Sequence, residues 1–213
     1  MSIILLLLRL PILVVHILVG LFTILFFPKE PKNFKNSHYR IMMLWMNILS
    51  SILGIKIDIR GIPDQSANLF VSNHVTYLDI IIINKLLPVN FIAKEEISSW
   101  PVIGRLASKT GTLFIKRGDN VESSKMIYEM EERFKLQNKI VFFPEGKIGN
   151  GKRVRKFHYK LFKSIENKEL YIQPILTKSS ARIQKCPSGG CQTFVSPSHI
   201  QVSTTLFDDV CMM

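Results

Sequence analysis

The chain has 213 residues and a formal net charge of +12, from 28 Lys and Arg against 16 Asp and Glu, and 47% of it is hydrophobic. That length holds one good-sized core but not two ordinary domains and a linker, and so apolar a composition excludes a disordered polycation. The charge calls for an anionic partner, whether nucleic acid, an acidic membrane surface or a phosphorylated substrate, without choosing among them.

From Leu10 to Phe27 the chain runs for 18 residues without a formal charge, which as a helix is about 27 Å and barely a bilayer crossing. A secretory signal fits poorly, because Arg9 is the one early charge and the run ends in Phe-Phe-Pro rather than in small residues. A buried core helix fits poorly too, because the segment has no polar face. It reads as a membrane anchor. Lys29, Lys32, Lys35 and Arg40 follow it, which keeps the rest of the chain on the cytoplasmic side. A second apolar stretch, Ile41 to Ile55, carries Trp45 as an interfacial ring and is too short to span. Two arrangements fit equally: a hairpin of two helices dipping into one leaflet, or one tilted span plus an interfacial helix.

After residue 55, β-rich runs alternate with helix-like stretches. Strands are predicted at Lys56–Ile59, Leu69–Ser72, Val89–Ile92, Thr112–Lys116, Lys139–Phe143 and Tyr171–Leu176. The alternation predicts an α/β layer structure. The clearest helix runs from Val121 to Gln137, with Ile127, Met130 and Phe134 on one face, Glu129–Arg133 and Glu131–Lys135 as pairs on the other, and Asp119 or Asn120 as the cap. Beyond Leu176 the composition turns polar and Ser/Thr-rich. This tail holds all three cysteines, Cys186, Cys191 and Cys211. An odd number confined to the end gives no disulfide framework, so a reducing compartment is the simpler reading, and Cys-x4-Cys with a distant His199 is poor spacing for zinc. The chain therefore divides into an anchoring segment (1–55), an α/β domain (56–176) and a divergent or truncated tail (177–213).

Three motifs carry chemistry. Asn73-His74-Val75-Thr76-Tyr77-Leu78-Asp79 follows a predicted strand and opens an apolar helix. His74 and Asp79 are five apart, about 140° around a continuous helix, so they pair only if His74 precedes the helix and folds back over its first turn. A carboxylate so placed would hold the imidazole in one tautomer and leave its other nitrogen to take a proton from a hydroxyl. The plainer reading is a capping box, Thr76-x-x-Asp79, beside a structural histidine. Next, Gly111 to Arg117 is an apolar strand delivering Lys116 and Arg117 at its end. Arg117 is suited to grip a phosphate with its guanidinium fork, although a basic strand end is more often merely solvated. Third, Val141-Phe142-Phe143-Pro144-Glu145-Gly146 is a buried-looking strand ending in a turn. Glu145 there can bind a substrate hydroxyl or brace a cation, or the turn can simply end the strand. Twelve Lys and Arg against three acidic residues lie between Lys139 and Lys185, around this third motif. Phe157, Tyr159 and Phe162 are interleaved with them but form no nucleic-acid module, so anionic lipid is the expected partner and nucleic acid is not.

In this order NHVTYLD, GTLFIKR, FPEG and the Pro-centred strand Ile172-Gln173-Pro174-Ile175, together with Ala93-Lys94-Glu95 and Trp100-Pro101-Val102-Ile103-Gly104, resemble the blocks of the glycerolipid acyltransferase family over roughly residues 35 to 176. The likeness is strongest to bacterial 1-acyl-glycerol-3-phosphate acyltransferases. It implies a single mixed-sheet α/β domain flanked by helices. It also implies transfer of an acyl group from a thioester, on acyl carrier protein or coenzyme A, to the free hydroxyl of a lysophospholipid, giving phosphatidic acid or a close analogue. By the same resemblance His74 is the general base and Asp79 its partner, Lys94 and Arg117 bind the substrate phosphate, and Glu145 and Gly146 form the acceptor-binding turn. Neither metal nor cofactor is implied beyond the thioester co-substrate, which is already activated. The third block departs from the family pattern in continuing with Lys147-Ile148, and Lys156-Phe157-His158 replaces the family's usual Pro-Phe-Lys-like stretch. A lyso-ornithine lipid as acceptor, and a non-catalytic basic membrane binder, are the rival readings.

Overall fold

Alternation along the strands decides which helices cover which side of the sheet. The structure, a computed structural model, describes residues 3–28, 34–116, 120–149, 153–166, 168–182 and 196–203. In chain order it contains α1 (Ile3–Thr23), α2 (Asn36–Ile52), β1 (Lys56–Arg60), β2 (Ala67–Ser72), α3 (Leu78–Leu86), β3 (Val89–Lys94), α4 (Ile103–Lys109), β4 (Leu113–Ile115), α5 (Asn120–Lys135), β5 (Lys139–Phe142), β6 (Tyr171–Arg182) and β7 (Ser196–Ser203). Short 3₁₀ turns sit at Ile24–Phe26, Glu95–Ser99 and Tyr159–Ile165.

The seven strands form one mixed sheet in the order β1-β7-β6-β2-β5-β3-β4. From β6 to β4 every neighbouring pair is parallel, whereas β7 runs antiparallel to β6 and parallel to β1. Phe70 of β2, Val89 and Phe91 of β3 and Val141 of β5 point to one side, where they pack with Ile82 and Ile83 of α3 and with Leu87. Leu69, Ile140 and Phe142 point to the other, against Met126, Met130 and Phe134 of α5 and Leu161 of the Tyr159–Ile165 turn. The period of two thus feeds two cores from the same strands. Right-handed crossovers place α3 and α4 on one side, because both connections move outward, and α5 on the other, because the chain then returns.

The predicted strands and the long helix are present, with two differences. β6 does not stop at Leu176 where the composition changes, but continues to Arg182, and within the polar tail Ser196–Ser203 forms a strand between β6 and β1. The solvent-side ion pairs expected along α5 are also rearranged. Arg133 does meet Glu129 at 3.4 Å, yet its side chain is only 5% exposed, so this pair is not on a solvated face. Glu131 instead reaches Lys168, and Lys135 reaches Glu132. Asp119, one candidate cap, lies outside the described residues.

The amino-terminal helices lie together on the α3 side. Among the described residues one helix, over Leu7–Phe26, is long and apolar enough to cross a membrane by length and composition. The Trp45 indole of α2 stacks on the His16 imidazole of α1 at 4.5 Å and donates to the His16 carbonyl at 3.3 Å. A Cβ at Gly20 would stand 2.7 Å from the indole nitrogen, so a residue without one is needed for the helices to come this close. α2 packs in turn on α3. Its Tyr39 hydroxyl lies 2.8 Å from Asn90 Oδ1 and 3.2 Å from Asn138 Oδ1. One hydroxyl proton serves one acceptor. Turning the Asn138 amide over lets its otherwise unpartnered Nδ2 donate to the phenol and satisfies both contacts. Burial pushes the Tyr39 pKa up to about 12, so this buried link between α2 and the sheet stays a neutral hydrogen bond.

Candidate active site

β2 ends at Ser72, and residues 73–77 carry the chain over the carboxyl edge of the sheet into α3. In a parallel sheet that edge is where ligands bind. His74 does precede the helix, as its pairing with Asp79 requires. Its Nδ1 lies 2.8 Å from Asp79 Oδ2 in the first turn of α3. The same Oδ2 accepts the backbone N–H of Val75 at 2.8 Å and of Thr76 at 3.0 Å. Three donors converge on one oxygen of a fully buried side chain, and because a carboxylate only accepts, Nδ1 donates to Asp79, which in the neutral ring leaves the lone pair on Nε2. Asp79 therefore caps the turn and orients the imidazole at once, joining two roles that the spacing left as alternatives. Among the described residues Nε2 has no hydrogen-bond partner, and the His74 side chain is 12% exposed, a narrow window.

Two clamps hold this turn from outside. The Asn73 amide pairs both ways with the Thr177 backbone, accepting its N–H at 2.8 Å and donating to its carbonyl at 2.9 Å. Because Ser72 is already in register with Ile175, this side chain prolongs the β2–β6 ladder beyond the end of β2. The His74 carbonyl accepts the N–H of Gly149 at 2.7 Å, tying the first motif to the loop that follows the third.

β5 delivers the third motif to the same edge. Phe142 faces α5, so the next residue, Phe143, faces the other way and stacks on the His74 ring with centroids 4.1 Å apart and planes 15° from parallel. The turn Phe143–Gly146 closes with the Gly146 N–H on the Phe143 carbonyl at 2.9 Å. Gly146 has φ +66°, a conformation that costs an L side chain roughly 1 kcal/mol or more. Glu145 is buried, and its Oε2 accepts the Arg155 N–H at 3.2 Å, while the Pro144 carbonyl accepts the His158 N–H at 2.8 Å. These bonds fold the basic segment around Arg153 to Lys160 back over the turn.

Lys94 closes β3 on this edge, but two strand spacings from β2, roughly 10 Å. There it pairs with Glu96 at 2.6 Å. The structure does not bring it to His74. Arg117 lies outside the described residues, as do the three cysteines, and among the described residues no cluster of His, Cys, Asp or Glu could hold a metal. Asn73, Phe143 and Thr177 were missed from the sequence. For Phe143 a signal existed, because strand alternation separates it from Phe142 and turns it toward the His74 side.

Residues 56–178 match the family described as Acyltransferase, more than half of the chain. The chain belongs to this family. Among its relatives are the lyso-ornithine lipid O-acyltransferase of Pseudomonas aeruginosa, 33% identical over 64% of this chain and 52% of that protein. The 1-acyl-sn-glycerol-3-phosphate acyltransferase of Helicobacter pylori is 30% identical over 71% of this chain and 65% of that one. The chain spans about half the length of several of the relatives it matches. The family fold is also seen in the solved structure of the 1-acyl-sn-glycerophosphate acyltransferase PlsC of Thermotoga maritima, with a TM-score of 0.57 at 17% identity, covering 78% of this chain and 66% of that one.

Proposed function

We propose that the protein transfers a fatty acyl group from a thioester, on acyl carrier protein or coenzyme A, to the free hydroxyl of 1-acyl-glycerol-3-phosphate, giving phosphatidic acid. The observation that carries this reading is the His74–Asp79 pair, with Nε2 unpartnered among the described residues at the carboxyl edge of a parallel sheet. His74 Nε2 takes the proton of the acceptor hydroxyl as its oxygen attacks the thioester carbonyl. The tetrahedral intermediate collapses with loss of the thiolate, which recovers the proton from Nε2. Asp79 supports the imidazolium between these steps. Arg117 and Lys94 are assigned to the acceptor phosphate, and Glu145 and Gly146 to the acceptor-side turn. α1 holds the enzyme on the membrane, and the cations after it favour the cytoplasmic face.

A second acceptor, lyso-ornithine lipid, is favoured by Lys94, which is engaged with Glu96 rather than open toward His74, and by relatives of that name. Assay of both acceptors with one labelled acyl thioester separates the readings. With lysophosphatidic acid, Arg117→Ala is expected to raise the acceptor KM while largely sparing kcat, whereas a phosphate-free acceptor is unaffected. An unchanged KM for lysophosphatidic acid removes Arg117 from the phosphate role.

Phe143 positions the imidazole. Phe143→Leu loses a stacking contact of about 0.5–1.5 kcal/mol, so kcat is expected to fall by roughly two- to tenfold and the pH dependence of kcat to move. Phe143→Tyr should restore both. A Leu variant with wild-type kcat and pH profile would reduce Phe143 to packing.

A further inference from the structure

We propose that the segment Trp100-Pro101-Val102-Ile103 is a second membrane contact, seated in the same bilayer surface as α1 and holding the carboxyl edge of the sheet at the lipid headgroups. The inference rests on the reading of α1 as a membrane anchor and extends it to a part of the α/β domain.

Ile97 to Gly104 is uncharged, flanked by Glu95 and Glu96 on one side and Arg105 on the other. Trp100 is 44% exposed and Ile103 is 54% exposed, with Val102 and Pro101 open between them. Four consecutive exposed apolar residues are unusual on a surface meant for water. The Ser98 and Ser99 hydroxyls beside them are engaged by the chain's own backbone, donating to the Glu95 carbonyl at 2.6 Å and the Glu96 carbonyl at 2.7 Å. The four residues themselves present hydrocarbon and an indole, the pairing that settles at a membrane interface, with the exposed Lys94, Glu95 and Glu96 just before them placed for the headgroup side.

The segment is also held in shape. Trp100 N–H bonds the Ile97 carbonyl at 3.1 Å, Gly104 N–H bonds the Trp100 carbonyl at 3.0 Å, and Leu106 N–H bonds the Val102 carbonyl at 3.1 Å. A Cβ on Gly104 would collide with the carbonyl oxygens of Ser98 and Ile97, so the loop closes on a backbone only glycine permits. Its place selects lipid as the occupant. α4, which begins at Ile103, packs on α1, whose own Leu8, Val15 and Phe22 are exposed. Through α4 the loop is thus tied to the helix already assigned to the bilayer. Since it follows the carboxyl end of β3, it lies on the edge that carries His74.

The chain has two tryptophans, Trp45 and Trp100, so Trp45→Phe leaves Trp100 as the sole reporter. The full chain is bound to phosphatidylglycerol–phosphatidylcholine vesicles, recovered by flotation, and its emission recorded with lipids brominated near the glycerol end of their chains. Trp100 is expected to shift to the blue, to lose most of its emission to the brominated lipid and to resist aqueous iodide. If Trp45→Phe disturbs the helical pair, the difference in quenching between wild type and Trp100→Phe reads the same residue. Vesicle-bound protein whose Trp100 is open to iodide and untouched by brominated lipid overturns the proposal while leaving α1 as anchor. Protection from both quenchers overturns it in favour of a second copy of the chain over the loop, and failure to float overturns it together with the anchor.

Discussion

Replacing His74 with alanine is expected to slow acyl transfer by on the order of 10²–10⁴ with little change in stability. The imidazole is held by Asp79 and Phe143, but the turn has supports that the substitution leaves alone. Asp79 keeps the Val75 and Thr76 amides, Asn73 keeps Thr177, and Gly149 bonds the His74 carbonyl, which alanine retains. The measurement is turnover of labelled thioester by detergent-solubilised wild type and variant, with thermal unfolding of both. Full turnover in a folded His74→Ala protein would sink the proposed mechanism. Loss of turnover together with folding would show the histidine to be structural.

Asp79→Asn should separate the two tasks of the carboxylate. Because all three donors meet at Oδ2, the asparagine oxygen can occupy that position and keep three neutral hydrogen bonds. What it loses is charge: a charge-assisted bond contributes about 1.5–3 kcal/mol, which in the transition state is roughly a ten- to hundredfold fall in kcat. The asparagine nitrogen must take the place of Oδ1, which is buried with no partner among the described residues, at a stability cost of about 1–3 kcal/mol. Asp79→Ala leaves the Val75 and Thr76 amides uncapped as well and should be less stable still. An Asp79→Asn enzyme as fast as wild type per folded molecule would confine Asp79 to capping.

Local features were legible in the sequence. The β-branched runs and the helix over α5 follow from patterning, and the fold-back of His74 over α3 follows from a five-residue spacing that no continuous helix can close. Long-range features were not. Arg133 reads as a solvent-side partner of Glu129, yet it is buried and within electrostatic reach of Tyr39, more than ninety positions earlier in the chain. Thr177 clamps Asn73 across a similar separation. β7 carries a weak alternation, with Ile200 and Val202 between polar residues, that the Ser/Thr-rich composition around it conceals. The register of each strand is local, but its neighbours in the sheet are chosen by contacts that composition does not encode.

The position of β7 between β1 and β6 has a consequence for how the protein is made. β1 is complete at Arg60, yet the strand that pairs with it ends at Ser203, roughly 140 residues later. At about 5–20 residues per second, the ribosome needs roughly seven to thirty seconds to supply it. Until then a nascent chain carries one unpaired strand directly after its apolar helices, where the edge is open to other chains. Early engagement of those helices, with α2 leading straight into β1, would keep that edge at a surface and away from its neighbours while the last strand is still being synthesised.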